Sequence, residues 1–100
     1  MFTVVYEFVI KEGSDDKFRD AWVKHTEYVY LTRGSLGSRL HTTGVAHTYV
    51  AYAQWPERKH WAETTEVFRE LQPNTLLEMK KHLVESSVLR ELTVCDDVLK

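Results

Sequence analysis

A chain of 100 residues with 43% hydrophobic and 28% charged side chains has the composition of one ordinary globular domain, here residues 1–100, and excludes disordered and membrane-spanning classes. Its 13 basic and 15 acidic residues are spread along the whole length for a net charge of −2, so no basic field exists to hold nucleic acid. At this size folding buries somewhat more than about 60% of the unfolded chain's surface, and a partner subunit would add to a thin margin of stability.

The opening MFTVVYEFVIKEG begins directly in a strand pattern, with neither a basic leader region nor a cleavage site, which is the expectation for a cytoplasmic protein. The single cysteine agrees with a reducing compartment: Cys95 has no disulfide partner and no Cys or His at zinc-ligand spacing, and is expected as a small buried side chain in a last strand. The five histidines are dispersed, and no metal site is expected.

In chain order, Phe2 to Ile10 reads as a strand with Phe2, Val4, Tyr6, Phe8 and Ile10 on one face and Thr3, Val5, Glu7 and Val9 on the other. Gly13 turns the chain, Ser14 is the expected N-cap, and Asp15 and Asp16 suit the positive end of a helix. On that helix Phe18, Ala21, Trp22, His25 and Val29 form an apolar stripe containing one histidine. Gly34 ends it, and Ser35–Thr42 and Ala46–Trp55 form an antiparallel hairpin through Thr43 and Gly44, with Leu36 and Leu40 on one face of the first strand. Pro56 then opens a second helix carrying Trp61, Thr65 and Phe68 on one face. Pro73 interrupts it, Asn74 is the expected cap of a further helical segment to about Ser86, and Leu76, Leu77, Met79, Leu83 and Val84 supply the apolar side of that segment. Val88 to Cys95 reads as the last strand, before a polar tail with Asp96, Asp97 and Lys100.

Strand, helix, strand, strand, helix, strand is the ferredoxin-like βαββαβ order of an α+β fold, a four-stranded antiparallel sheet with the helices on one face. The other face then carries Val5, Val9 and one side of an apolar third strand. Left open, that patch is larger than soluble monomers usually expose, so the expectation is a homodimer burying sheet against sheet.

The opening FTVVYEFVIKEG, the GSLGSRLH strand and the YVAYAQWP corner resemble the antibiotic biosynthesis monooxygenase family of dimeric α+β barrels over nearly the whole chain. The resemblance implies a homodimer, no bound cofactor, no membrane or nucleic-acid partner, and a small-molecule pocket between helices and sheet. Some members oxidise aromatic polyketide intermediates with dioxygen alone, and others degrade haem. The haem-degrading branch is a remote alternative here, because its strand asparagine, helix tryptophan and axial histidine fall on Tyr6, Thr64 or a neighbour, and Gln72, while His60 and His82 lie elsewhere.

Oxidation of a flat phenolic molecule without a cofactor needs aromatic walls and a polar group on an apolar surface. His25 and Tyr6 are the catalytic candidates, with His25 expected to titrate near its ordinary value of about 6.5. Trp22, Trp61, Phe68, Val29 and Thr65 are the candidate substrate-binding residues, while Trp55 is expected to pin the end of its strand. Each has a purely structural alternative: His25 as a hydrogen-bonded core residue, Tyr6 with its hydroxyl on a backbone carbonyl, the aromatics as core. Arg39 is expected to pair with Glu7 across the other sheet face, or else with an acidic substrate group. The remaining functional alternative is a dimeric binding or structural module of the same fold that lacks catalysis.

Overall fold

The computed structural model describes residues 1–99; Lys100, the last residue of the expected tail, lies outside the described residues. The elements run β1 (Phe2–Ile10), α1 (Asp15–Arg33), β2 (Gly37–Thr42), β3 (Thr48–Trp55), α2 (Arg58–Glu70), α3 (Asn74–Lys80) and β4 (Leu83–Thr93). The sheet order is β2-β3-β1-β4 with every neighbouring pair antiparallel, which is the ferredoxin-like α+β arrangement expected from the element order. No helix among the described residues is long and apolar enough to cross a membrane.

The alternation in β1 sorts as its sequence dictates. Phe2, Val4, Phe8 and Ile10 are buried toward the helices, as are Tyr49, Ala51, Ala53 and Trp55 of β3, which stand opposite even-numbered β1 residues in the register. Two apolar clusters result. One joins Phe8, Ile10, Phe18, Ala21, Tyr49, Ala51 and Met79; the other joins Phe2, Val4 and Trp55. Tyr6 packs against both, at the middle of the central strand.

Several expected boundaries move, each for a local reason. The third helix stops at Lys80 and not near Ser86, and the chain re-enters the sheet at Leu83, where Lys11 N–H donates to the His82 carbonyl. Pairing along most of β1 outweighs the helical spacing of Leu83 and Val84, and Val84 ends up exposed. β4 ends at Thr93, so Cys95 lies beyond the strand and is exposed, not buried. Neither Ser14 nor Asn74 makes a side-chain cap; Ser14 occupies the N-cap position and its carbonyl accepts the Phe18 N–H at 2.8 Å, whereas Pro73 caps α3 and Asn74 is already its first residue. Pro56 precedes α2 by two residues instead of opening it, and Glu57 is the N-cap.

Asp15 ties the start of α1 to the β2–β3 hairpin, accepting from Tyr49 Oη at 2.7 Å and lying 3.1 Å from His47 Nδ1. Those bonds, Tyr49 first, hold its carboxyl below the ordinary carboxylate value. The expected Glu7–Arg39 pair is absent among the described residues. Glu7 stands opposite Val50 and Arg39 opposite Tyr52, two positions out of register across the sheet.

Candidate functional site

Between the two apolar clusters the helices and the sheet do not meet. They enclose a cavity of about 520 Å³ whose walls come from β1, β3, α1, α2 and α3. All seven residues expected from sequence line it: Tyr6, Trp22, His25, Val29, Trp61, Thr65 and Phe68. The apolar stripe of α1 divides its work, since Phe18 and Ala21 close the core and Trp22, His25 and Val29 face the open part.

Tyr6 and Trp61 form a pair across the gap. Trp61 Nε1 donates to Tyr6 Oη at 2.7 Å, so α2 is tied by a hydrogen bond to the middle of the sheet. Tyr6 is therefore not satisfied by a backbone carbonyl. Its oxygen accepts, and its own proton is given to no acceptor among the described residues. Burial pushes the phenol above its ordinary pKa despite the opposing effect of the Trp61 bond, which keeps Tyr6 protonated and a donor at neutral pH. The Trp61 ring also lies 5.7 Å from the Phe2 ring, and the Arg58 guanidinium sits over it at 5.4 Å from its centroid.

His25 is held by a partner that its own surroundings in the sequence do not announce. Nδ1 lies 3.0 Å from Thr75 Oγ1, on the first turn of α3, and the ring tilts against Phe68 at 5.7 Å. Burial pushes the imidazole down to about 4, so the expected titration near 6.5 is corrected: the ring is neutral at physiological pH. Among the described residues Nε2 has no hydrogen-bond partner and it is not sealed from solvent, so the ring that lines the cavity keeps one nitrogen open.

Trp55 does more than pin its strand. It is 4% exposed, belongs to the second core cluster and also lines the cavity, with Nε1 buried and unpartnered. Other lining residues have no assigned role in the sequence reading: Ser35 and Ser38 on the β2 side and the cations Arg69 and Lys80; Gln72, the position matching the haem branch's axial histidine, lines it too. Thr64 is buried and accepts from Arg33 Nε at 3.2 Å, joining the end of α1 to the middle of α2. A loose signal existed for these in the helical spacing Trp61, Thr65, Phe68, Gln72; none existed for Thr75.

Among the described residues no three His, Cys, Asp or Glu side chains stand together as a metal site. Trp22 also borders a second, shallower groove of about 580 Å³ between α1 and the free edge of β2, where Arg19, Arg39 and His41 lie.

No curated protein matches the chain in sequence. In fold it is similar to SnoaB, a cofactor-independent oxygenase from Streptomyces nogalater, with a TM-score of 0.69 and 15% identity over 99% of this chain and 97% of that one. It is similar to Rv0793 from Mycobacterium tuberculosis, with a TM-score of 0.72 and 14% identity over 98% of each chain. A NIPSNAP domain protein from Burkholderia xenovorans aligns with a TM-score of 0.66 and 14% identity over 97% of this chain and 100% of that one. At such identities the likenesses show the fold. Residues 1–75 match the family model of the antibiotic biosynthesis monooxygenases, and the chain belongs to that family.

Proposed function

We propose that this protein is a cofactor-independent monooxygenase that binds a flat aromatic molecule, phenolic or polyketide-like, in the cavity between helices and sheet. The observation that carries the reading is the Tyr6–Trp61–His25 arrangement: two polar groups with open valences, set in a cavity whose walls are Trp22, Trp55, Trp61, Phe8 and Phe68. The family match and the fold of SnoaB, itself a cofactor-independent oxygenase, support the same class.

The chemistry follows from electron-rich substrate and dioxygen. A phenolate or enolate delocalises charge onto ring carbon, passes an electron to dioxygen, and the radical pair recombines to a carbon–oxygen bond. The peroxide anion takes up a proton; loss of the remaining hydrogen at that carbon, with cleavage of the O–O bond, gives a carbonyl and one water. Tyr6 and His25 are the catalytic residues in this reading, since they are the groups placed to hydrogen-bond the reacting oxygens. Thr65 donates back to the Trp61 carbonyl at 2.9 Å and, like Val29, serves as wall.

A second reading is favoured by one observation: an imidazole pushed down to about 4 is a feeble base, which suits a binding module without catalysis. Oxygen uptake separates the two. With a panel of anthrone- and quinol-like substrates, wild type consumes oxygen, and His25→Ala and Tyr6→Phe each lower kcat/KM about 10- to 100-fold. Tight binding with no uptake on any substrate establishes the module instead.

We also propose a homodimer through the helix-free sheet face. Val5, Val9, Val50 and Tyr52 on that face are covered by no helix, and Leu92 of β4 extends the patch at 43% exposure. Light scattering at micromolar protein then gives twice the 11.8 kDa chain mass; the single-chain mass contradicts the dimer.

The neutral imidazole also has a stability signature. Because the folded-state pKa of His25 lies below the unfolded value, the unfolded chain binds the proton first, and this residue's contribution is lost as pH falls from about 6.5 toward about 4. Urea denaturation of wild type and His25→Gln should therefore diverge in pH slope across that interval and run parallel above it.

A further inference from the structure

The hydrogen bonds of His25 decide what it offers a ligand. An imidazole with Nδ1 accepting carries its proton on Nε2, and one with Nδ1 donating leaves Nε2 as a lone pair. Thr75 is the group positioned to supply the deciding proton. Its hydroxyl has one hydrogen to give, no acceptor other than His25 Nδ1 takes it among the described residues, and the O···N separation is 3.0 Å. The hydroxyl is half-buried, in the first turn of a helix whose Met79 is locked in the core, so the donor cannot easily swing away.

With Thr75 donating, Nε2–H becomes the open edge of the ring. Tyr6 has the same polarity: it accepts from Trp61 at 2.7 Å and keeps its own O–H to give. The charged lining residues are Arg69 and Lys80, and among the described residues no Asp or Glu lines the cavity. Arg69 is engaged by Glu66 and Lys80 donates to Gln72 Oε1 at 3.0 Å, while Glu91, the acid that bears on Tyr6, is engaged by Arg58 at 2.7 Å. The cavity therefore presents donors and cations to its occupant and no anionic acceptor.

We infer that Thr75, by donating to His25, makes the cavity a two-donor site for an aromatic ligand bound as its phenolate or enolate anion, with Tyr6 O–H and His25 Nε2–H on the charged oxygen. This rests on the proposed aromatic-oxygenase reading and sharpens it: the substrate class is a phenol acidic enough to be carried in ionised, and His25 stabilises the anion instead of generating it. Thr75 is a positioning residue, acting through the ring.

The test uses the full chain and 1,2-dihydroxyanthraquinone, whose neutral and phenolate forms differ in visible absorption, with hydroxyl-free anthraquinone as the uncharged control. Titrated from about pH 5 to about 9, the bound probe should ionise about one pH unit or more below the free probe, which is tenfold or more preference for the anion. Thr75→Val and Tyr6→Phe should each return most of that shift, Thr75→Ser should keep it, and the control should bind more weakly than the probe above the probe's pKa. The ring-nitrogen NMR signals of His25 should report Nε2 protonated in wild type and in Thr75→Ser, and a mixture of tautomers in Thr75→Val. A bound probe whose pKa is unchanged or raised, a probe that does not bind, or an Nδ1-protonated His25 in wild type overturns the inference. The binding arm needs no turnover. A lowered probe pKa without oxygen uptake would leave this site standing and remove the oxygenase reading alone.

Discussion

The bond from Trp61 Nε1 to Tyr6 Oη holds the site together, because it fixes α2 over the middle of the sheet where little else touches. At the ends the layers are in contact, through Phe18 with Phe8 and Tyr49 in one cluster and through Val29 and Trp61 against Phe2, Val4 and Trp55 in the other. Between them the helix layer is spaced from the strands by aromatic side chains, and the indole–phenol pair spans that space. Removing either partner would leave a polar atom in an apolar wall, a cost of roughly 1–3 kcal/mol for an unsatisfied buried group. The same bond settles the chemistry of Tyr6. Its acceptor is used and its proton is free.

A second constraint acts through Pro73. With no N–H to give and φ fixed, the proline separates α2 from α3, which starts afresh at Asn74 after an extended Pro73. Met79 then reaches the core beside Phe18, and Thr75 reaches His25 on α1. One broken helix thereby supplies two walls and the group that orients the imidazole, which an unbroken helix from Arg58 to Lys80 would carry away from the sheet. The link from sequence to function here is a backbone break, not a motif.

Much of this was legible in the chain. Strict alternation in β1 and the three- and four-residue spacing in α1 assign Tyr6, Trp22, His25 and Val29 to the layer between sheet and helices, since each period permits one buried face. The open cavity was not legible, because an apolar stripe reads the same packed or spaced. The α3–β4 boundary was missed because Leu83, Val84 and Val88 suit either period, and because β4 shifts register against β1 between Val5 and Tyr6 and again between Val9 and Ile10. Those irregularities break the alternation that marks a strand. Thr75 lies 50 residues from His25, so only the tertiary fold joins them. The depressed pKa of His25 is likewise a property of burial, invisible in a stripe.

The central claim is that the space between helices and sheet receives a flat aromatic molecule. A crystal structure of the protein soaked with 1,2-dihydroxyanthraquinone tests it most directly. The account predicts the ring system between Trp22, Trp61 and Phe68, with a ring oxygen within about 3.2 Å of both Tyr6 Oη and His25 Nε2. A cavity collapsed onto its own side chains, or a ligand seated elsewhere with those two atoms unengaged, would contradict it.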